Sequence, residues 1–357
     1  MDAAELRAQF PVFERVAYLN AGTCGPLPAA ARRALDDAFG LGEVEGRRKA
    51  YYDRHLALLD RRREAYAGLL GARAEDVAVT TSTSEGVGRV LSGLELAAGD
   101  EILTSDAEHP GLLGPLLGAK ARHGVAIRTA PLADLANHVT PRTKLIACSH
   151  VGWVTGDVAP PLAATGVPVL LDGAQGIGAV PVDVDELGCA FYAGSGQKWL
   201  CGPVGTGMLY VAPEWQTRLK PLTFAYGSYA DSSRALEPEA LHDGARRFDT
   251  AAMNPELAAA ALASLDVLAG FGWDNVHDRA RTLARELATR LADGGRAVGP
   301  RGETTLVSWE DQDPEATAAR LTEQGIAVRF IPGTPYLRAS VGAWNDEDDL
   351  ARLLAAL

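Results

Sequence analysis

The chain lacks paired cysteines, long apolar runs and any excess of positive charge. Its four cysteines, Cys24, Cys148, Cys189 and Cys201, lie far apart with no C-x-x-C spacing. That argues against a disulfide framework and a zinc site, and fits reduced thiols in a cytoplasm. No apolar run approaches the roughly 20 residues a membrane-spanning helix needs. The first ten residues carry Asp2, Glu5 and Arg7, unlike a signal peptide. Lysine and arginine number 34 against 46 acidic residues, a net charge of −12. A polyanion such as nucleic acid or an anionic membrane would be repelled by the molecule as a whole. A locally basic pocket remains compatible with that balance.

What is present is an ordinary globular composition over 357 residues, 47% hydrophobic and 22% charged. This length suits about two domains. The 38 glycines stand out, punctuating strand-like segments in the middle of the chain. Residues 56–70 read as an amphipathic helix. Strand-like runs follow at 77–81, 101–104, 125–129, 144–148, 168–171, 189–193 and 207–211. Most are separated by stretches long enough for crossovers, so a largely parallel sheet covered on both faces is expected. Ligands bind such sheets at the carboxyl ends of the strands. From about Asn254 two alanine-rich helices, 255–269 and 273–293, precede strands near 304–309, 326–330 and 337–340 and a last helix from Asp346. This reads as a smaller α+β unit.

Three segments carry chemistry. In VTTSTSEGVGRVL a strand ends and Ser82, with Glu85 three residues on, forms a capping box that opens a helix. Thr83 and Ser84 would add hydroxyls to that helix start, a seat for phosphate; an ordinary capped helix carries the same residues. In PVLLDGAQGIGAV, Asp172 closes an apolar strand and Gln175 follows, in the manner of a buried carboxylate or of a plain turn. In FYAGSGQKWLCGPVGTGMLYV a strand delivers Ser195, Gln197 and Lys198 into a glycine-rich loop. A buried lysine there could act as a Schiff-base nucleophile, while a surface lysine would be solvated. GIGAV lacks the complete G-x-G-x-x-G of a dinucleotide site.

DGAQ followed by SGQKWLCGPVGTGMLYV resembles the class V aminotransferase group of pyridoxal-phosphate (PLP) enzymes. The group includes cysteine desulfurases, isopenicillin N epimerase and the C–S lyases of ergothioneine biosynthesis. The likeness runs from YLNAG at Tyr18 to LRASVGAWN at Asn345. It implies an α/β fold of PLP fold-type I, with a mostly parallel seven-stranded sheet. The large PLP-binding domain is expected over 17–250, and the small domain over 1–16 plus 251–357. It also implies a homodimer with active sites near the interface and a small amino-acid substrate.

Residue by residue, the resemblance implies that Lys198 carries PLP as a Schiff base and that Asp172 pairs with the ring nitrogen. Gln175 would meet the phenolic oxygen, and His109 would stack on the ring. Thr83, Ser84, Ser195 and Gln197 would hold the phosphate. Arg338 would clamp the substrate carboxylate, with Arg329, Asn20 and Trp153 beside it.

Three departures are informative. Trp153, in SHVGWVTG, is assigned to the position where desulfurases place an asparagine on the cofactor's ring oxygen. Ala251 and Ala252 replace a Gly-Thr that reaches the neighbouring subunit's phosphate, leaving Thr250 or the 226–228 loop to supply that contact. Residues 325–342 contain no cysteine, where desulfurases carry a nucleophilic one on a mobile loop. Cys24 lies in an N-terminal loop near the site and reads as a small buried thiol. The expected activity is β-elimination from an S-substituted cysteine or its sulfoxide, releasing pyruvate and ammonia. Epimerisation, transamination and a non-catalytic PLP-fold binding protein are the alternatives.

Overall fold

The computed structural model describes residues 1–220, 223–250 and 254–357. Helix α1 (Ala3–Ala8) is closed by an Asp2–Glu5 capping box, and strand β1 (Ala17–Tyr18) follows. Helices α2 (Ala29–Glu45) and α3 (Lys49–Leu70) come next; α3 stops at Gly71, whose φ of +65° suits glycine. The alternating region then runs β2 (Val77–Thr80), α4 (Thr83–Gly93), β3 (Glu101–Ser105), α5 (Pro110–His123), β4 (Ala126–Ala130), β5 (Thr143–Ser149), β6 (Val169–Asp172), α6 (Val184–Leu187), β7 (Phe191–Ser195) and β8 (Gly207–Val211). All seven strand-like runs in this stretch form strands, with ends moved by at most two residues.

These strands make one seven-stranded sheet in the order β2-β8-β7-β6-β5-β3-β4. The pairs β3–β4, β3–β5, β5–β6 and β6–β7 are parallel; β8 runs antiparallel to both β7 and β2. Alternate residues feed two apolar clusters. Ile146, Cys148, Leu171 and Tyr192 enter one, and Ala147, Leu170, Phe191 and Ala193 the other. Burial on both faces explains why the strands read as continuous apolar runs rather than as alternating ones.

Asn254 caps α7 (Pro255–Phe271), accepting from the Glu256 and Leu257 N–H groups, and α8 (Trp273–Asp293) follows. The expected boundary after residue 250 assigns α7 to the C-terminal unit, yet α7 packs on α2 and α3 and places Ala258 and Leu265 in the first cluster. The remaining elements are β9 (Leu306–Glu310), α9 (Pro314–Glu323), β10 (Ile326–Ala327), β11 (Arg329–Phe330), β12 (Tyr336–Ser340) and α10 (Glu347–Ala356). The single strand expected over 326–330 is divided. Its first half pairs with β1 and its second with β12, because the chain changes partner at Val328. Among the described residues no single helix is long and apolar enough to cross a membrane.

One buried ion pair ties the helical layer to the sheet. Arg63 of α3 bonds both carboxylate oxygens of Asp249, at 3.0 and 2.7 Å, and the Val77 carbonyl; Asp249 also accepts from the Val79 N–H. Removing one partner strands the other charge in a low-dielectric interior. Asp249→Ala is therefore expected to lower stability by about 3–5 kcal/mol, read as a lower urea midpoint in equilibrium unfolding.

Candidate functional site

The parallel strands β5, β6 and β7 end side by side at Ser149, Asp172 and Ser195. Asp172 is buried, and its carboxylate accepts from the Ala174 N–H at 2.9 Å. Burial raises its pKa, against the pull of Lys198. Lys198 stands in the loop after β7; its carbonyl accepts from the Cys201 N–H at 3.1 Å, while its amine has no hydrogen-bonding partner among the described residues. Burial pushes its amine down to about 8, with Asp172 opposing and Arg338 and Arg329 adding to the fall. The loop is held tightly. Gln197 accepts from the Gly25 N–H at 2.7 Å, and Gly196 accepts from Gly202 at 2.8 Å. Cys201 takes a φ of +54°, a strained conformation for a residue with a side chain. A Cβ on Gly25 would overlap the Lys198 carbonyl, so the 22–25 loop can approach only as glycine.

The start of α4 lies over the same edge. Ser82 caps it, accepting from the Glu85 N–H at 3.1 Å. The expected capping box is only half formed: Glu85 turns to the Thr81 N–H and hydroxyl, both at 2.7 Å, and to Arg89. These donors compete with the Ser82 N–H for one carboxylate, and they win. Thr83 Oγ1, Ser195 Oγ and Gln197 Oε1 are all buried without a partner. Leaving a buried polar group unpaired costs about 1–3 kcal/mol, so the two hydroxyls call for a ligand with acceptor oxygens, toward which Gln197 can donate only through its amide Nε2. Ser84 is exposed at the same helix start. A Cβ on Gly111 would lie 2.7 Å from its hydroxyl and 2.9 Å from His109 Nδ1, which puts the first turns of α4 and α5 in contact.

His109 caps α5, its Nδ1 accepting from the Gly111 N–H at 2.9 Å. Burial and the charges of Lys198, Arg329 and Arg338 push it down to about 4, so the imidazole is neutral and carries its proton on Nε2. Trp153 meets it edge-on, with ring centroids 4.9 Å apart. Gln175 is buried with both ends engaged, donating to the Gly22 carbonyl at 2.7 Å and accepting from the Trp199 indole at 2.9 Å. One amide hydrogen is left over. Sequence reasoning missed Glu108, which accepts from the Ser105 hydroxyl and from the Ser149 N–H and hydroxyl, joining the ends of β3 and β5 beside His109. Its position next to His109 was the available signal.

Arg329 and Arg338 are register partners on β11 and β12. Like charges directly opposite are unfavourable, and neither arginine has an acidic partner among the described residues. Arg338 is 1% exposed, and its Nη1 donates to the Trp153 carbonyl. Burial and Arg329 push it down to about 9. Asn20 bridges to Ser340 through the backbone and accepts from the Thr23 hydroxyl at 2.7 Å. A Cβ on Gly22 would stand 2.7 Å from Ser340 Oγ, 2.9 Å from Gln175 Oε1 and 3.1 Å from Arg338 Nη2. The N-terminal loop therefore joins the arginine strand to the Asp172 turn. Cys24 on this loop is half-buried, and burial raises its thiol. Ala251 and Ala252 lie outside the described residues. The Thr250 hydroxyl is taken by Glu85 and Arg89.

Residues 20–353 match the class-V aminotransferase family. The chain belongs to that family. It is 31% identical to isopenicillin N epimerase of Amycolatopsis lactamdurans, over 99% of this chain and 97% of the relative. It is 28% identical to a probable cysteine desulfurase of Methanothermobacter thermautotrophicus, over 99% and 96%. Among solved structures, the cystine C–S lyase C-DES in complex with its product cysteine persulfide superposes with a TM-score of 0.92 at 29% identity, covering 97% of this chain and 98% of that one. A lysine-to-alanine mutant of C-DES, with glycine covalently linked to its PLP cofactor, gives the same score and identity, covering 98% of each chain. The class-V fold accounts for the parallel sheet and for the loops converging on its carboxyl edge. The orphaned Thr83 and Ser195 hydroxyls, the Lys198 amine and the buried Asp172 fit a phosphorylated pyridine aldehyde.

In the cofactor-free class-V protein, reductive methylation read by mass spectrometry should show Lys198 half-reactive near pH 8, its reactivity falling below that as the amine protonates. An ordinary surface lysine titrates at about 10.4.

Proposed function

We propose that the chain is a PLP-dependent C–S lyase that performs β-elimination on an S-substituted cysteine or cysteine sulfoxide. PLP is the cofactor, held by Lys198, with Asp172 at the ring nitrogen, Gln175 at the phenolic oxygen and His109 on the ring face. Thr83, Ser84, Ser195 and Gln197 hold its phosphate. When bound, it supplies a carbonyl that condenses with amines and a ring that withdraws electrons from Cα.

The side chains divide the remaining work. Arg338 grips the substrate α-carboxylate with its guanidinium, fixed through the Trp153 carbonyl, and Arg329 adds a second positive charge across the strand pair. Asn20 and Trp153 border the carboxylate and the departing group. With its pKa lowered to about 8, the Lys198 amine is suited to take the Cα proton. The Cβ–S bond then breaks with its electrons on sulfur. The released enamine reacts with water to give pyruvate and ammonia.

The observation that carries the reading is the short path between the two arginines. From Arg329 to Arg338 the chain makes one hairpin, closed by the Ile331 N–H on the Tyr336 carbonyl, with no cysteine from 325 to 342. A persulfide-forming loop has no place there. On this cysteine-free hairpin we place the chain beside the ergothioneine-type lyases, and its likeness to the cystine C–S lyase C-DES supports a C–S lyase. Epimerisation is the second reading, favoured by the likeness to isopenicillin N epimerase.

We also propose a homodimer in a reducing cytoplasm. Phe39, Leu41 and Val44 of α2 and Tyr226 are exposed apolar side chains that a second subunit would cover, and all four cysteines are free.

Incubation with L-cysteine, S-substituted cysteines and their sulfoxides should yield pyruvate from the substituted substrates. Arg338→Lys should lower kcat/KM by roughly 30-fold, for the loss of about 2 kcal/mol of charge-assisted hydrogen bonding. Racemisation without pyruvate would assign the epimerase reading, and alanine with persulfide from cysteine a desulfurase.

A further inference from the structure

The turn that presents Asp172 and Gln175 is moulded on two side chains outside the set described so far. His150 directly follows β5, and its N–H donates to the Asp172 carbonyl at 2.8 Å. Ser149 is the register partner of Asp172, so the pleat sends the His150 side chain to the opposite face of the sheet. There its Nδ1 lies 3.1 Å from the hydroxyl of Tyr192, with the rings at 73°. Tyr192 belongs to β7, on the other side of β6. Its neighbour Ala193 is the register partner of Asp172 and accepts from the Gly173 N–H at 2.7 Å. The pair thus reaches across beneath β6 from both flanking strands, and both residues are buried.

The glycines of DGAQG answer to this pair. A Cβ on Gly176 would lie 2.5 Å from both His150 Nδ1 and the Tyr192 oxygen, and one on Gly173 would overlap the Tyr192 ring. The segment closes as a single turn, with Gly176 and Ile177 donating to the Gly173 carbonyl at 2.9 and 3.0 Å. Asp172 begins this turn, and Gln175 sits on it between the two contacts. Burial pushes His150 down to about 4, so the imidazole is neutral and its bond to the phenol is one between uncharged groups. The hydroxyl and the imidazole are the polar atoms nearest to Gly176 on that face.

We propose that the His150–Tyr192 pair is a positioning device for the cofactor, setting the Asp172 carboxylate and the Gln175 carboxamide at the spacing the ring requires. The proposal rests on the assignment of Asp172 and Gln175 to PLP. Neither member of the pair is a catalytic residue; each acts through the turn above it.

The test measures the PLP dissociation constant, the absorbance maximum of the bound cofactor and the thermal midpoint. It compares the native protein with Tyr192→Phe, His150→Ala, His150→Asn and, as a packing control, Val169→Ala from the same apolar cluster. Tyr192→Phe keeps the ring and removes only the hydroxyl. It should weaken PLP binding about ten-fold and move the absorbance maximum, as expected when one buried hydrogen bond is lost. His150→Ala should do more, and His150→Asn, which keeps a polar atom near Nδ1, should recover part of the loss. Val169→Ala should lower the thermal midpoint with affinity and spectrum unchanged. Native affinity and spectrum in Tyr192→Phe and His150→Ala would overturn the proposal, as would equal losses in Val169→Ala. A native protein that binds no PLP would instead overturn the cofactor assignment, and this proposal with it.

Discussion

Lys198, Arg329 and Arg338 act on one another, and among the described residues the carboxylate that opposes them at Lys198 is Asp172. The Cys24 thiol contributes no charge, because burial holds it protonated. Three cations against one anion are costly away from water, and the fall of Lys198 to about 8 and Arg338 to about 9 registers that cost. A ligand bringing a phosphate and a carboxylate would balance the set. The orphaned hydroxyls at the start of α4 and the end of β7 point to the phosphate, and the facing arginines to the carboxylate. The folded chain is thus stable enough to hold a charge pattern that is complete only with cofactor and substrate present.

Much of the surrounding structure serves to keep these groups from relaxing away from one another. The 20–25 loop packs glycine backbone against Gln197 and Lys198 on one side and against Arg338, Gln175 and Ser340 on the other. Glu108 ties the ends of β3 and β5 behind His109. Arg63 and Asp249 fix the chain just before the segment expected to approach a second subunit. The strained backbone at Cys201 follows the same logic, since it returns the Lys198 loop to Gly196 within a few residues. Strain of this kind persists only where the neighbouring contacts over-determine it.

The parallel sheet and its seven strands were legible in the sequence, because strands buried on both faces leave continuous apolar runs. The positions of Asp172 and Lys198 were legible because the first closes such a run and the second follows one by a few residues. The Arg63–Asp249 pair was not, since its members lie 186 residues apart and neither sits in a distinctive local pattern. His150 carries no local mark beside the more conspicuous Trp153, and the need for glycine at 173 and 176 is set by Tyr192, which lies on a different strand. The half-formed capping box shows a further limit. Ser82 and Glu85 satisfy the local rule, but Arg89 and Thr81 compete for the same carboxylate.

The central claim is that one lysine, at the carboxyl edge of the sheet, holds the cofactor in a pocket otherwise short of negative charge. Borohydride reduction of the PLP-loaded protein, followed by peptide mapping, tests it most directly. The account predicts a single modified peptide carrying the pyridoxyl group on Lys198, and none in Lys198→Ala. Modification of another lysine, or none at all in a PLP-saturated sample, would contradict it.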